Sequence, residues 1–400
     1  MFKLEPIIAM DFILFDDQLR SDFYPFTLTR PVSELRLGMM TIREKWEKAL
    51  QGRAYCVTAP WLAAKFAGNV PPERPFVWIN ARYLPTEPLV QAILQLIEGQ
   101  LIQQDGVPVA LFGAMDAQKG GNPTANFQVF NAPGELSFIS KVWELFTRNA
   151  EWIKQDFQAL THGRKSAKIS SSNRIIGEDI FFEEGAVAEM SIINTTTGPV
   201  YLAAHAEIME GCMVRGALAM GEHATLKMGA KIYGPTTLGP QAKVGGEVSN
   251  SVILGYSNKG HDGFLGNSII GEWCNLGADT NNSNLKNNYG LVKIWSMARK
   301  KMEDTGLTFC GLMMGDHSKA GINTMFNTGT VTGVCANIFD GGFPPKFIPS
   351  FSWGGKENSP SYEIEKALET AKAMYSRRGV VFSEEDEKLL RYLSMNQNTL

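Results

Sequence analysis

A single histidine, His261, lies in a segment whose composition suits proton transfer. It stands between Gly260 and the pair Asp262-Gly263 in the polar run SNKGHDG. An imidazole, with an ordinary pKa of about 6.5, accepts a proton at neutral pH, and a neighbouring carboxylate can orient the ring. The segment therefore predicts general-base chemistry, such as deprotonation of an amine that attacks a thioester. The alternative interpretation is that His261 is only a hydrophilic loop residue.

The remaining polar candidates are an amide-rich segment and scattered histidines. Residues 281–288, NNSNLKNN, form either a polar loop with internal hydrogen bonds or the rim of a binding site, with Lys286 and Lys293 near its ligand. His205 and His223 occupy regular repeat positions, which favours solvent-facing or ladder residues. No histidine or cysteine pair has metal-ligand spacing, so no metal ligand is assigned.

The scaffold around His261 is predicted from a six-residue repeat. Aliphatic residues or Met recur every six positions from Leu202 to Val244, and a mostly small residue follows each of them after four positions. A period of six fits neither an α-helix nor an alternating strand, but it fits a coil with three flat faces. The sequence therefore predicts a left-handed parallel β-helix of hexapeptide repeats. The repeat breaks over 250–267 and again over 283–311, where we expect loops that carry function.

The regions on either side of the repeat have other patterns. Before it, candidate strands at 12–15, 54–57, 76–79 and 108–112 alternate with candidate helices at 41–49, 88–98 and 136–160, which favours an α/β domain with a parallel sheet. After it, amphipathic helices are predicted at 362–378 and 383–394, the second with Ser383 as N-cap. The predicted domains are 1–165, 166–345 and a helical C-terminal tail at 346–400.

Composition narrows the class of protein. The 400 residues include 44% hydrophobic and 20% charged residues, with a net charge of −3. This composition is typical of a soluble globular protein and gives no electrostatic reason to expect nucleic acid or a membrane surface as partner. We find no signal peptide and no apolar run long enough to cross a bilayer. The five scattered cysteines favour a reduced, cytoplasmic protein.

One stretch of the repeat resembles a known family. Residues 259–266, KGHDGFLG, are followed by 270–280, IGEWCNLGADT, and then by Asn284. This arrangement is similar to the acetyltransferase half of the bifunctional N-acetylglucosamine-1-phosphate uridyltransferase/glucosamine-1-phosphate acetyltransferase family, without gaps from about Lys259 to Asn284. The resemblance implies that His261 is the catalytic base. It implies substrate contacts by Phe264, Asn275 and Lys259, and acyl-CoA contacts by Ala278 and Asn284. If the amide-rich segment is a binding rim, Lys286 and Lys293 are acyl-CoA contacts as well.

The chain departs from the family pattern at positions that contact substrate. The family's substrate tyrosine falls on Phe264, which keeps the ring and lacks the hydroxyl. A second tyrosine falls on Leu285, and a lysine that binds the sugar phosphate falls near Ser249. The resemblance therefore implies acyl transfer to an amino-sugar phosphate without naming the sugar.

The front region resembles the same family's sugar nucleotidyltransferase fold. Residues 23–31, FYPFTLTRP, are similar to the end of its nucleotide loop, whereas the glycine-rich part is replaced by 15–20, FDDQLR. The expected lysine is Val32, and the strand at 76–79 leads into Asn80-Ala81-Arg82 instead of a metal-binding aspartate. The resemblance implies Mg²⁺ as cofactor if this domain is active, and a nucleotide contact by Thr27. In place of the missing glycines and lysine, Arg20, Arg30 or Arg36 can hold phosphate, and the alternative interpretation of Arg30 and Arg36 is a surface salt bridge.

These observations favour a transferase of sugar-nucleotide metabolism. The β-helix would transfer an acyl group from acyl-CoA, such as acetyl-CoA, to an amino-sugar phosphate, and the front domain would bind a nucleotide triphosphate or nucleotide sugar and transfer the nucleotide. The resemblance implies a homotrimer assembled through the β-helix. Two alternatives stay open: a nucleotidyltransferase with the β-helix as a trimerisation stalk, and a non-enzymatic sugar-nucleotide-binding scaffold.

Overall fold

A computed structural model describes residues 10–66, 75–113 and 127–397 of the chain. Contacts between residues divide the chain into two compact units. The first runs to Phe23 and includes Thr29–Leu35 and Met40–Ser140. The second comprises Tyr24–Leu28, Arg36–Met39 and the chain from Lys141 onward. The predicted domain boundaries stay predictions.

The front region is an α/β arrangement around a six-stranded sheet of order β4-β1-β5-β7-β6-β8. Its elements in chain order are β1 (Phe12–Phe15), β2 (Arg36–Leu37), β3 (Met40–Thr41), α1 (Ile42–Leu50), β4 (Ala54–Val57), α2 (Pro60–Phe66), β5 (Phe76–Asn80), α3 (Glu87–Leu94), β6 (Gln100–Gln104), β7 (Val107–Gly113) and β8 (Gln128–Asn131).

The predicted parallel sheet is correct for β4, β1 and β5 and wrong for β7, while β6 and β8, which were not predicted, run parallel to each other. β4, β1 and β5 run parallel, whereas β7 is antiparallel to both β5 and β6. The reason is the tight connection between β6 and β7, where Asp105 and Gly106 both have positive φ. Two consecutive residues with positive φ form a hairpin turn, which returns the chain antiparallel.

One predicted helix is shorter in the structure than in the sequence analysis. The helix expected at 136–160 begins only at α4 (Glu144–Thr147) and continues as α5 (Asn149–Thr161). In the preceding stretch the backbone of Ile139 and Ser137 bonds to Arg82 and Leu84, and Tyr83 forms a bridge with Phe138. These residues pair with a distant segment, so their backbone groups are not available for a helix.

The second unit contains the parallel β-helix that the sequence predicts. Its strands in chain order are β9 (Arg174–Ile176), β10 (Ile180–Phe182), β11 (Val187–Ala188), β12 (Ile192–Asn194), β13 (Val200–Leu202), β14 (Glu207–Ile208), β15 (Met213–Arg215), β16 (Leu218–Met220), β17 (Thr225–Leu226), β18 (Lys231–Tyr233), β19 (Thr236–Leu238), β20 (Lys243–Val244), β21 (Glu247–Ser249), β22 (Val252–Gly255), β23 (Asn258–Lys259), β24 (Phe264–Gly266), β25 (Ile269–Glu272), β26 (Asn275–Leu276), β27 (Asn281–Asn282), β28 (Lys293–Ser296), β29 (Lys301–Asp304), β30 (Met313–Met314), β31 (Lys319–Ala320), β32 (Met325–Phe326), β33 (Val331–Thr332), β34 (Asn337–Ile338), β35 (Phe347–Ile348) and β36 (Trp353–Gly354).

These strands stack into three faces. Face A is the nine-stranded sheet from β10 to β35, face B is the nine-stranded sheet from β11 to β36, and face C is the six-stranded sheet from β9 to β24. The predicted core ladder is confirmed, because each of its members is at most 3% exposed: Leu202, Ile208, Val214, Met220, Leu226, Ile232, Leu238 and Val244. A column of aliphatic side chains therefore fills the coil, as the period of six requires.

The two breaks in the repeat have different structures. The first was expected to be a loop over 250–267, but β22, β23 and β24 keep this segment on the coil. One coil joins Met220 to its partner Leu238, and the next coil, from Leu238 to its partner Ile253, contains fewer residues. This shorter coil interrupts the six-residue period. Residues 260–263 form the corner between β23 and β24. The second break is an insertion that contains the hairpin β28–β29, and the ladder resumes at Met314, Ala320 and Phe326 as predicted.

The C-terminal tail is helical, as predicted. It consists of α6 (Ile364–Arg377) and α7 (Glu384–Met395), and Ser383 caps α7 together with Asp386. The ring of Tyr375 in α6 stacks at 3.8 Å on Trp273 of the coil, and both residues are buried. All five cysteines are buried and unpaired. Across the described residues, the structure contains no helix with the length and apolarity needed to span a membrane.

Candidate functional site

His261 lies at the corner between face B and face C, where β23 ends and β24 begins. Its side chain and that of Asp262 are exposed. Among the described residues, no hydrogen bond joins the imidazole to Asp262 or to any other group, so the predicted orientation of the ring by Asp262 is not present. The imidazole is open to solvent, which a general base that meets a substrate requires.

The corner is fastened from inside the coil by Lys259. This residue pairs with Val244 of the aliphatic ladder and is 3% exposed, so it occupies a core position. Its Nζ donates hydrogen bonds to the carbonyl oxygens of His261 at 2.6 Å and Asp262 at 3.3 Å. Burial lowers the pKa of Lys259 to about 8, against an ordinary value of 10.5. The position of His261 thus depends on a buried amine.

The next corner of the coil stacks directly on the His261 corner. The N–H of Asp279 donates to the carbonyl oxygen of Asp262 at 3.1 Å, and the carbonyl of Ala278 accepts from Asn323 of the following corner at 2.8 Å. The structure therefore brings Ala278, a predicted acyl-CoA contact, to the corner adjacent to His261.

Phe264 and Asn284 meet above a glycine on face C. A Cβ placed on Gly266 would lie 2.4 Å from the ring of Phe264 and 2.7 Å from the amide nitrogen of Asn284, which itself donates to Asn267 at 2.8 Å. On face B, Asn275 accepts from Asn258 at 2.9 Å. Predicted substrate and acyl-CoA contacts thus lie on the two faces that flank the His261 corner.

The two predicted lysines of the insertion are engaged locally. Lys286 donates to the carbonyl of Leu291, and Lys293 forms an exposed ion pair with Asp304 at 3.1 Å. No contact among the described residues joins either lysine to the His261 corner. Their role in binding acyl-CoA stays a prediction.

A column of glycines beside His261 was not singled out in the sequence. Gly245, Gly260, Gly277 and Gly321 each follow a face B strand in consecutive coils, so they stack in one column. A Cβ on Gly277 would lie 2.6 Å from the backbone nitrogen of Ile322, which explains why glycine is needed there. We call these residues the glycine column. They leave the edge of the coil next to His261 without side chains. In the sequence, these glycines end the recurring triplets KVG, NKG, NLG and KAG.

The front sheet has a polar network at the carboxyl ends of its parallel strands. Asp16 follows β1, is 2% exposed, and accepts from Arg20 at 3.2 Å, from Thr58 at 2.5 Å and from the N–H of Val32 at 2.9 Å. Burial raises the pKa of Asp16, and the Arg20 charge opposes that rise. In the sheet, β4 lies on one side of β1 and the next strand along the chain, β5, lies on the other side. In open α/β sheets, ligands bind at the carboxyl ends of the strands where the strand order reverses in this way.

The second carboxylate at this edge is held by an arginine. Asp17 receives Nη2 of Arg82 at 2.6 Å, its Nε at 2.8 Å, and the amide of Asn80 at 2.9 Å. The Arg82 side chain is 3% exposed and also donates to the carbonyl of Ile139. Asp16 and Asp17 are therefore both paired with guanidinium groups. The carboxylate oxygens that Mg²⁺ would need already accept hydrogen bonds from these guanidinium groups, so this edge, as arranged, does not fit Mg²⁺.

The predicted nucleotide contacts are distributed over both units. Arg20 and Arg30 belong to the first unit and are buried, and Arg20 also lies over the ring of Trp61 at 5.1 Å. Thr27 and Arg36 belong to the second unit. Thr27 is fully buried, and Arg36 donates to the carbonyl of Met39 at 2.5 Å. Nucleotide binding by these four residues stays a prediction.

Comparison with known proteins defines the class to which the front region is similar. Residues 12–165 match the protein-family model described as sugar nucleotidyl transferase. The match covers the sheet with the Asp16 and Asp17 network.

Two curated relatives join this class to acyl transfer. One is the bifunctional protein GlmU of Methanocaldococcus jannaschii, 36% identical over 87 residues, which cover 22% of this chain and 21% of that protein. The other is the bifunctional sugar-1-phosphate nucleotidylyltransferase/acetyltransferase of Sulfurisphaera tokodaii, 30% identical over 154 residues, covering 34% and 38%. The chain thus matches well under half the length of each relative. The predicted resemblance to this bifunctional transferase family is confirmed.

A solved structure with a related description is the UDP-N-acetylglucosamine acyltransferase from Campylobacter jejuni. It matches at 12% sequence identity and a TM-score of 0.24, covering 56% of this chain and 96% of that chain. The β-helix assignment rests on the strand register of this chain itself.

Proposed function

We propose that this chain is a transferase of sugar-nucleotide metabolism that moves an acyl group from acyl-CoA to the amine of an amino-sugar phosphate at the His261 corner. The observation that carries the proposal is the corner itself. A solvent-exposed imidazole stands on a loop whose carbonyls are bonded to the buried ammonium of Lys259. Positioning of this kind lets a base meet its substrate without rearrangement of the loop.

In the proposed reaction the amine nitrogen attacks the thioester carbonyl carbon. The new C–N bond forms, the C–S bond breaks, and CoA leaves as the thiolate. His261 accepts the proton that the amine loses, and the imidazolium then returns a proton to the thiolate. Phe264, half-buried on face C, would pack against the substrate, and Asn275 on face B would hydrogen-bond to it.

The acyl donor would follow the glycine column. Because Gly245, Gly260 and Gly277 have no side chains, a thin extended chain such as the pantetheine arm can lie against the backbone next to His261. Ala278 and Asn284 flank this path on the neighbouring corner and face. Their positions support the acyl-CoA contacts that the sequence predicts.

A homotrimer would assemble through face C, where apolar side chains are exposed on three adjacent strands. Ile176, Ile192 and Met213 are 40%, 46% and 57% exposed and line an open groove of about 550 Å³. Burying these side chains against a second copy removes apolar area from water. A cytoplasmic location and the absence of nucleic-acid partners stay predictions.

The test is CoA release by the full-length protein with acetyl-CoA and a panel of amino-sugar phosphates. His261→Asn keeps a side chain of similar size and removes the base, and we expect its rate to fall by about 10²–10⁴-fold with unchanged sedimentation. His223→Asn, at an exposed coil corner far along the repeat, is the matched control. Absence of CoA release across the panel, or a full rate in His261→Asn, would overturn the proposal.

A second candidate for the front domain is nucleotide-sugar binding without turnover. The observation that favours it is that Arg82 stands where the family's metal-binding aspartate is expected and that its guanidinium is paired with Asp17. The test is a titration with a nucleotide triphosphate and a sugar 1-phosphate in the presence and absence of Mg²⁺. Binding without pyrophosphate release supports the candidate, and Mg²⁺-dependent release of pyrophosphate contradicts it.

A further inference from the structure

Two lysines project from the same face of the coil on adjacent turns. Lys243 in β20 pairs with Thr225 in β17, and Lys227 lies two residues beyond Thr225. Side chains two residues apart along a strand point to the same side, so both lysines leave face B outward, about 7–8 Å apart for a diagonal pair. The N–H of Lys227 still bonds to Val244 at 2.7 Å, so this geometry extends to Lys227.

The end of α6 brings two arginines to these lysines. Tyr375 fixes the helix by stacking on Trp273, and the helix ends at Arg377 with Arg378 as its C-cap. Burial lowers the pKa of Lys243 first, and the positive charges of Arg378, Lys227 and Arg377 lower it further. The pKa of Arg378 is lowered by its own burial and by Arg377. The four residues are therefore close enough to repel one another, and we call them the basic cluster.

The basic cluster lacks the ion pairs that other basic residues of the tail have. Lys372 pairs with Glu387 at 2.7 Å and Arg391 with Glu365 at 2.6 Å. Among the described residues, none of the four cluster members forms a salt bridge. Glu207, one coil below Thr225, is the carboxylate whose charge opposes the lowering of the Lys243 pKa.

Structural causes explain only half of this arrangement. Cations at a helix C-terminus are favoured by the helix dipole, which accounts for Arg377 and Arg378. The dipole gives no reason for Lys227 and Lys243 to face them. Mutual repulsion in a half-buried place costs stability unless an anion with several charges bridges the groups, and guanidinium and ammonium groups together are typical of phosphate recognition.

We propose that the basic cluster binds the pyrophosphate group of a nucleotide-containing ligand. Lys227 continues the line of the glycine column, two coils from Gly260, which is about 10 Å at the strand spacing. A ligand whose phosphates lie at the cluster can thus extend toward the His261 corner. CoA and a nucleoside diphosphate sugar both have this chemistry. The inference concerns binding and does not depend on acyl transfer.

Pyrophosphate binding to the full-length protein by calorimetry tests the site. The variants Lys243→Gln/Arg378→Gln and Lys227→Gln/Arg377→Gln should each weaken pyrophosphate binding by about tenfold or more. Lys372→Gln/Arg391→Gln changes the net charge equally on the same tail and should leave affinity within about twofold. Equal losses in cluster and control variants would mean general charge attraction and would overturn the site.

Stability without ligand gives a second readout that separates binding from folding. Removal of repulsion should keep or raise the thermal midpoint of both cluster variants, while the rise in midpoint that pyrophosphate gives the unaltered protein should disappear. Displacement of pyrophosphate by CoA or by a nucleoside diphosphate sugar then identifies which ligand uses the site. If pyrophosphate binds but neither ligand displaces it, the site takes adventitious anions and the proposal is wrong.

Discussion

The ammonium nitrogen of Lys259 lies 2.6 Å from the backbone carbonyl oxygen of His261, two residues along the chain. The lysine reaches this oxygen from within the coil, from a position that Val244 fills with an aliphatic side chain one turn below. A buried amine in such a ladder is costly unless it is hydrogen-bonded. Its position at this corner indicates that Lys259 stabilises the loop that carries His261, and not the core of the coil.

Replacing this lysine by an apolar chain should loosen the corner without unfolding the coil. Lys259→Met removes the donor to His261 and Asp262 but also removes a buried charge, so the unfolding free energy should change by about 1 kcal/mol or less. Backbone hydrogen exchange at 260–263 should become faster, and acyl transfer should slow through kcat.

Lys319→Met is the matched control for that variant. Lys319 is partly buried, its pKa is also lowered by burial, and its Nζ donates to the carbonyl of His317 at 2.7 Å, away from the His261 corner. Exchange at 260–263 should be unchanged in this control. Equal exchange at 260–263 in Lys259→Met and in the unaltered protein would show that the hydrogen bonds do not hold the loop.

The lowered pKa of Lys259 predicts a dependence of stability on pH. In the unfolded chain the pKa is the ordinary 10.5, and burial lowers it to about 8 in the folded protein. Between these values the unfolded chain binds more protons, so the free energy of unfolding rises with pH across this window. From about pH 7.5 to about pH 9.5 the unaltered protein should gain about 2 kcal/mol more than Lys259→Met.

Urea unfolding of both proteins at the two pH values measures this difference. Lys319 contributes the same rise to both proteins and cancels in the comparison. Parallel pH profiles for the two proteins would mean that the amine of Lys259 is hydrated, which contradicts the burial of this residue.

The repeat made the coil predictable, whereas its irregular places were not. The ladder from Leu202 to Val244 follows from a strict period of six. Between Leu238 and its partner Ile253 the period shortens, so stepping by six residues no longer finds the core positions. Lys259 occupies one of these positions. The family resemblance implies a substrate contact for Lys259, which stays a prediction, whereas its burial follows only from the register of the strands.

The front edge was harder to predict, because its contacts join residues far apart in sequence. The sequence shows that Arg82 stands where an aspartate is expected, but not that Asp17, from the replaced glycine-rich segment, receives its guanidinium. Likewise, the positive φ angles of Asp105 and Gly106 turn the chain back, so that β7 runs antiparallel to β6. The pattern of strand residues does not encode these backbone angles. The glycine column is present in the sequence as a repeated triplet, but its members are unevenly spaced, so no fixed period shows that they stack.

The Asp17–Arg82 pair should be important for the stability of the front unit. Arg82→Met leaves a partly buried carboxylate without its partner, so the unfolding free energy of this unit should fall by about 3 kcal/mol. The double variant Asp17→Asn/Arg82→Met should recover part of the loss, because no charge is then left unpaired. Hydrogen exchange of β1 and β5 amides reports on this unit directly.

Arg391→Met is the comparison for that pair. Its ion pairs with Glu365 and Glu387 are exposed and screened by solvent, so the loss of stability should be much smaller than in Arg82→Met. A loss in Arg82→Met no larger than in Arg391→Met would contradict a structural role for the Arg82 pair and would leave Asp17 available for a ligand.

A methyl group on the glycine column should block acyl-CoA without harming the fold. At Gly260 an added Cβ would meet only the side-chain oxygen of Asn258 at 3.0 Å, and Gly290 in the insertion has the same environment, with Asn288 at 3.1 Å. Gly260→Ala and Gly290→Ala should both keep the unfolding free energy within about 1 kcal/mol. If acyl-CoA lies along the column, Gly260→Ala should raise its KM by about tenfold while Gly290→Ala leaves it unchanged. Gly277→Ala, which would press on the backbone of Ile322, should instead destabilise the coil by about 1–3 kcal/mol. An unaltered KM in folded Gly260→Ala would place the acyl donor elsewhere on the coil.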